Sequence, residues 1–220
     1  MAERPILFSA PMVRALLAGR KTQTRRVIKD APAGEWFADR VGPAEWRWVA
    51  PEGRPTMPIR LPYAPGDRLW VREAWQTSPA YEDLAPSDLS EECPILYLAD
   101  GWMQDWGQFA DQHDVRRGRK RAAMHMPRWA SRLILLVTDV RVRRLQDLTE
   151  AEAEGVWSWV PEHLARVRAD LGNPSADLEF TDARAAFRCL WDSLNGKRPG
   201  CAWDENPWVA AYTFSVERRA

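Results

Sequence analysis

Residues 16–26 read Leu-Leu-Ala-Gly-Arg-Lys-Thr-Gln-Thr-Arg-Arg, which places Lys21 three residues before Thr24, with Gly19 on one side and two arginines on the other. An amine and a hydroxyl at this spacing suit acyl transfer. That chemistry needs a nucleophile, a group that removes and returns a proton, and positive character near the developing oxyanion. Thr24 offers the hydroxyl. Lys21 is a base only when its amine is neutral part of the time, which requires burial or cationic neighbours to lower its pKa. Arg20, Arg25 and Arg26, adjacent in sequence, are the candidate source of that field. Arginine could not replace Lys21, because a guanidinium keeps its proton. Only four of the 31 Lys+Arg residues are lysines (Lys21, Lys29, Lys120 and Lys197), so a lysine here is informative against an arginine-rich background. On spacing alone, the plainer reading is an exposed lysine following a helix.

A carboxylate would complete such a site. Glu150, Glu152 and Glu154 occupy one short stretch, and Glu73 ends an apolar run. A charge at the end of an apolar strand suits a barrel mouth or a buried ion pair, here with Arg26 or Arg72. Arg26, Trp70, Arg72 and Glu73, with the His125–Trp129 segment, are the candidates for holding a flat substrate ring and its carbonyl. A tryptophan within an apolar strand is more often core than platform.

These residues must be positioned by the elements around them. A short strand at Ile6–Phe8 leads to a helix with Ser9 as N-cap, Pro11 in the first turn and Met12, Leu16 and Leu17 as an apolar stripe. Gly19 suits the position that ends it. Residues 22–29 then read as a strand, so Lys21 and Thr24 fall in the turn or at the strand's start. Glu45–Ala50 resembles one strand of a hairpin. Pro65-Gly66-Asp67 is a turn feeding a buried strand, Arg68–Glu73. The strongest strand signal lies in residues 132–148. Thr149 is the expected cap of a helix whose first turn holds Glu150 and Glu152. Residues 180–195 form an amphipathic helix with Phe187, Leu190, Trp191 and Leu194 inward, and residues 206–219 make a closing strand. Five or six strands with three or four helices, in no regular βαβ alternation, predict an α+β fold with a small, mostly antiparallel barrel. The expectation is one domain over residues 1–220, with an insertion or long loop at about 76–124.

Bulk composition narrows the function. The 31 acids balance the 31 bases, so no global field gathers nucleic acid or anionic membrane. There is no secretory signal and no apolar run long enough to span a bilayer, which predicts a cytoplasmic protein, expected as a monomer. Cys93, Cys189 and Cys201 lack metal-ligand spacing, and with the scattered His113, His125 and His163 they form no zinc pattern. Neither a metal nor a cofactor is expected. The thirteen tryptophans belong mostly to the core.

The pattern Gly19-x-Lys21-x-x-Thr24-x-Arg26 resembles the signature of the ASCH domain, a small β-barrel related to the RNA-binding PUA fold. The commoner form has Glu where this chain has Thr24. Threonine there resembles the bacterial N4-acetylcytidine amidohydrolases, whose motif also reads Gly-Arg-Lys-Thr-x-Thr. The stretches GDRLWVRE, HMPRWASR, LWDSLNGK and NPWV resemble the longer ASCH-domain proteins common in bacteriophages and prophages. The resemblance covers residues 5–75 and 125–218. It implies hydrolysis of an N4-acylated cytidine or cytosine, with Lys21 as base, Thr24 as nucleophile and a glutamate on the short helix after the long strand. Glu154, which precedes Gly155, matches that glutamate best. The spacing is about two residues shorter than the family's, which keeps Glu150, Glu152 and Glu73 as alternatives.

Two other readings compete. A PUA-like RNA- or nucleotide-binding module without catalysis finds support in Arg116–Arg121, a six-residue run with five cations suited to phosphates, although such runs are commonly solvated loops. A ribonuclease using Lys21 and a carboxylate ranks lower, because no histidine pair of the usual acid–base kind is present.

Overall fold

The computed structural model describes residues 3–51, 56–105, 117–149, 152 and 182–218. It is a mixed α+β structure, mostly sheet, with two α-helices among the described residues. The chain divides into two compact units. Unit 1 comprises Met1–Ala18, Arg68–Leu135 and Val216–Ala220; unit 2 comprises Gly19–Asp67 and Leu136–Ser215.

In unit 1, strand β1 (Glu3–Leu7) pairs in parallel with β6 (Arg68–Arg72), Ile6 lying opposite Val71. Helix α1 (Ala10–Leu17) follows, with Pro11 in the first turn, where a missing N–H costs nothing. Ser9 occupies the N-cap with extended backbone, but its side chain makes no capping hydrogen bond. The helix ends at Ala18, and Gly19 takes φ 70°, the left-handed turn that glycine adopts without a Cβ penalty.

Residues 76–124, expected to be an insertion or long loop, instead help to build a core. Strands β7 (Trp75–Gln76), β8 (Ile95–Tyr97) and β9 (Met103–Gln104) form an antiparallel three-stranded sheet. Trp75, Leu89, Cys93, Ile95, Tyr97, Met126 and Ala130 pack into one buried cluster. The polar composition of the segment concealed this, because a few large apolar side chains suffice once brought together.

In unit 2, β2 (Gln23–Val27) pairs antiparallel with β11 (Trp208–Arg218), with Thr24 opposite Tyr212 and Arg26 opposite Ala210. The long β10 (Leu133–Arg144) precedes β11 in the strand order, and its first three residues belong to unit 1. Strands β3 (Phe37–Arg40), β4 (Trp46–Val49) and β5 (Met57–Pro58) form a second antiparallel sheet. Trp48, Ile59, Val142 and Trp208 make this unit's buried cluster, with Trp48 and Trp208 edge to face at 5.0 Å. Helix α2 (Ala183–Asn195) buries Phe187, Leu190 and Trp191, whereas Leu194, expected to face inward, is exposed. Asp182 caps it by accepting the Ala185 N–H at 2.6 Å.

The α+β expectation matches this architecture. The strand count does not, because eleven strands occur among the described residues, several of them only two or three residues long. Such short pairs are set by tertiary contact and leave little periodic signal. The sheets are not closed into a barrel. Ile95→Ala, at full burial, is expected to cost about 2–5 kcal/mol, and Asp182→Ala about 1 kcal/mol. Urea midpoints at constant slope check both values. A negligible effect of Ile95→Ala would contradict a core within residues 76–124.

Candidate functional site

In the segment after α1, Arg20 and Thr22 are exposed while Lys21 between them is buried, at 6 % relative exposure. The lysine is thus turned inward individually. Its Nζ donates to the Gln23 carbonyl at 2.9 Å. Burial is the main reason its pKa falls from 10.5 to about 7, and the charges of Arg26 and then Arg25 lower it further. Arg20, the third arginine expected to contribute, is exposed.

Strand alternation sorts the next residues. Thr24 and Arg26 share one face of β2, and Arg25 lies on the other. Thr24 is buried, and its Oγ1 accepts a hydrogen bond from Arg26 Nη1 at 2.8 Å; the same Nη1 donates to the Arg25 carbonyl at 3.0 Å. Ala210 lies opposite Arg26, where a small side chain leaves room for the guanidinium. Tyr212 lies opposite Thr24 and is fully buried, its ring edge to face with Tyr63 at 5.2 Å. Both tyrosines lie within electrostatic reach of Arg26, whose pKa is lowered chiefly by burial. Lys21, Thr24, Arg26, Tyr63 and Tyr212 all belong to unit 2. Neither tyrosine was singled out by the sequence, since the pairing that places Tyr212 against Thr24 spans almost the whole chain.

The opposite face of β2 is an ion-pair cluster. Arg25 Nη2 lies 3.3 Å from Glu152, its guanidinium stands over Phe187 at 5.3 Å, and Arg143 makes a bidentate pair with the same carboxylate. Glu152 also accepts the Thr149 N–H, while Thr149 Oγ1 accepts the Glu152 N–H, a reciprocal capping box. Partial burial pushes the Glu152 pKa up, but the Arg143 and Thr149 hydrogen bonds and both arginine charges outweigh it, giving about 2. Burial lowers the Arg25 pKa to about 10 against the pull of Glu152. Glu152 is therefore a structural anion, unsuited to donating a proton near neutrality. Glu154 and Glu150 lie outside the described residues.

Trp70, Arg72 and Glu73 belong to unit 1. Arg72 stacks over Trp70 at 4.4 Å and donates to the Met124 carbonyl. Within His125–Trp129, Arg128 pairs with Glu3. Glu73 is buried in a bidentate pair with Arg132 at 2.9 and 3.0 Å, and Arg132 also holds Asp100 and stands over Tyr97 at 4.1 Å. The partner is thus Arg132 rather than Arg26 or Arg72. Burial raises the Glu73 pKa, partly offset by Arg132. A surface groove lined by Glu3, Arg68, Glu91, Arg128, Trp129 and Ile134 also lies in unit 1 and includes none of the candidate catalytic residues.

The basic run fares differently from its expectation as a phosphate contact. Arg121 is buried; it donates to the carbonyls of Tyr81, Glu82 and Leu84 and lies over Trp75. Arg119 and Lys120 are exposed. Among the described residues, no group of three or more His, Cys, Asp or Glu could hold a metal ion, and no helix is long and apolar enough to cross a membrane.

The architecture and this cluster define an α+β protein with a partly neutral lysine beside an oriented threonine. Comparison with known protein families, curated proteins and solved structures finds no match.

The buried amine makes a pH-dependent stability prediction. Lys21 binds its proton less tightly when folded, so the unfolded chain carries more protons between pH 7 and 10.5, and stability rises with pH through that window. Below pH 7 the full cost of burying the charge applies. Lys21→Met, which removes the charge and keeps the stem, is expected to be the more stable form at pH 6, by on the order of a few kcal/mol. The advantage shrinks as pH rises through 7 to 10.5, as thermal melts across pH will show. Separately, Glu73→Ala strands Arg132 and is expected to cost about 3–5 kcal/mol, more than replacing both partners with apolar residues, as equilibrium denaturation of the two variants checks.

Proposed function

We propose that the protein is an amidohydrolase that removes the acyl group from N4-acylated cytidine or cytosine, and that it is a relative of the ASCH domain with the PUA-like architecture this implies. The observation that carries this reading is Lys21, inaccessible to solvent and with a pKa near 7, three residues from a threonine whose oxygen is held by Arg26. A lysine kept largely neutral at physiological pH without an obligatory cofactor is suited to proton abstraction.

In the proposed reaction, Thr24 Oγ attacks the acyl carbonyl carbon while its proton passes to Lys21 Nζ. The C–N4 bond then breaks, and the amine leaves with a proton supplied by Lys21 or Glu154. Water, oriented by Glu154, attacks the resulting ester. The carboxylic acid departs as Oγ regains a proton. Arg26 orients the Thr24 oxygen and lowers the cost of its developing negative charge. A variant in which Glu154 and Lys21 activate water directly, with Thr24 hydrogen bonding only, uses the same groups. Glu152 and Glu73 are given no catalytic part, because arginines already engage both. Trp70 and Arg72 stack on each other and are given no part in holding the ring. The RNA-binding alternative loses support from Arg121, which is spent on backbone carbonyls.

The test is incubation with N4-acetylcytidine and, in parallel, RNA, with products analysed by mass. Cytidine and acetate are expected, with RNA intact. Lys21→Arg and Thr24→Ala should each lower turnover at least about 100-fold with unchanged circular dichroism. The wild-type kcat/KM should rise with pH to a plateau above an apparent pKa near 7, because the neutral amine is the active form. Near-normal hydrolysis by Lys21→Arg would remove the base assignment.

A further inference from the structure

The Tyr212 side chain is fully buried, yet its hydroxyl makes no hydrogen bond of ordinary geometry, although the Tyr63 backbone lies close to it. A buried phenol normally finds a partner, since leaving its donor unsatisfied forfeits the hydrogen bonds it made with water. Register makes its location specific. Tyr212 is directly opposite Thr24 in the antiparallel pair, so both side chains rise from the same face of the sheet, and directly opposite residues there are near neighbours. The other donor on that face, Arg26 Nη1, is already directed at Thr24 Oγ1 and the Arg25 carbonyl.

Acyl transfer through Thr24 requires a donor for the carbonyl oxygen as it gains negative charge, and Arg26 is engaged in holding the nucleophile. We infer that the Tyr212 hydroxyl is a further catalytic residue, donating a hydrogen bond to the acyl oxygen of the substrate and strengthening that bond as the tetrahedral intermediate forms. This rests on the amidohydrolase reading. The hydroxyl gives up no proton in the cycle; it donates a hydrogen bond and keeps its hydrogen when the carbonyl re-forms. Burial, and next the neighbouring Tyr63, raise the Tyr212 pKa, so the phenol stays protonated throughout the neutral range. The free protein keeps a donor without an acceptor, and the substrate supplies the acceptor.

Tyr212→Phe tests this, because a structural and a substrate-directed hydroxyl predict opposite outcomes. With no partner lost, the unliganded variant should melt at or above the wild-type temperature, while kcat for N4-acetylcytidine falls about 100-fold and KM changes little. A melting temperature several degrees lower assigns the hydroxyl a structural role and overturns the inference. So does wild-type kcat in a stably folded variant; if Lys21→Arg is inactive in the same assay, the amidohydrolase reading stands without Tyr212. If the wild type itself does not hydrolyse N4-acetylcytidine, the functional reading falls, and calorimetric titration with that nucleoside decides the role of Tyr212. Binding to wild type weakened at least tenfold in Tyr212→Phe supports a ligand-directed hydroxyl, and equal binding, or none to wild type, overturns it.

Discussion

The cost of holding an ammonium away from water is the constraint on which the candidate site depends. Lys21 could relieve that cost by turning outward, as Arg20 and Thr22 on either side of it do. Instead it lies buried with a backbone carbonyl as an acceptor and two arginines within range, an arrangement that favours loss of its proton. Such a placement is unfavourable for folding and useful for chemistry, the usual sign of a residue retained for what it does. Arginines in the same neighbourhood stay charged, so the strand carries a fixed positive field beside one titratable amine.

Alternation along β2 separates two jobs that are adjacent in sequence. Arg25 is committed to Glu152, Arg143 and Phe187 on one face, which anchors the capping box at Thr149. Arg26, one residue on, faces the other way and holds the Thr24 oxygen. A single-residue slip in the β2–β11 register would exchange these faces, replacing the tyrosine opposite Thr24 with an alanine or a threonine. The ion-pair face therefore serves the reactive face by fixing the register. The Glu73–Arg132–Asp100 network does similar work within unit 1, where a buried carboxylate remains tolerable because a guanidinium meets both its oxygens.

Local chemistry was legible where a residue type admits few alternatives. Gly19 and Gly66 at positive φ, Pro11 in a helical first turn and the apolar alternation of β10 and β11 all follow from near-neighbour sterics and patterning. The Lys21–Thr24–Arg26 trio was visible because strand spacing puts i and i+2 on one face. Leu194 was misplaced because a helical stripe gives a direction without saying how far the neighbouring layer extends. The sheet within residues 76–124 was missed because two- and three-residue strands carry no period to read.

The sequence by itself determined which chemical groups this protein can bring to a reaction and which short elements hold them, since side-chain identity and backbone sterics act over a few residues. Tertiary structure alone decided their states and partners. Whether Lys21 is neutral, which arginine Glu73 meets and which tyrosine stands across from Thr24 depend on burial and on contacts between residues tens to nearly two hundred positions apart. Desolvation and strand register are properties of the packed chain, and no local stretch of residues encodes either.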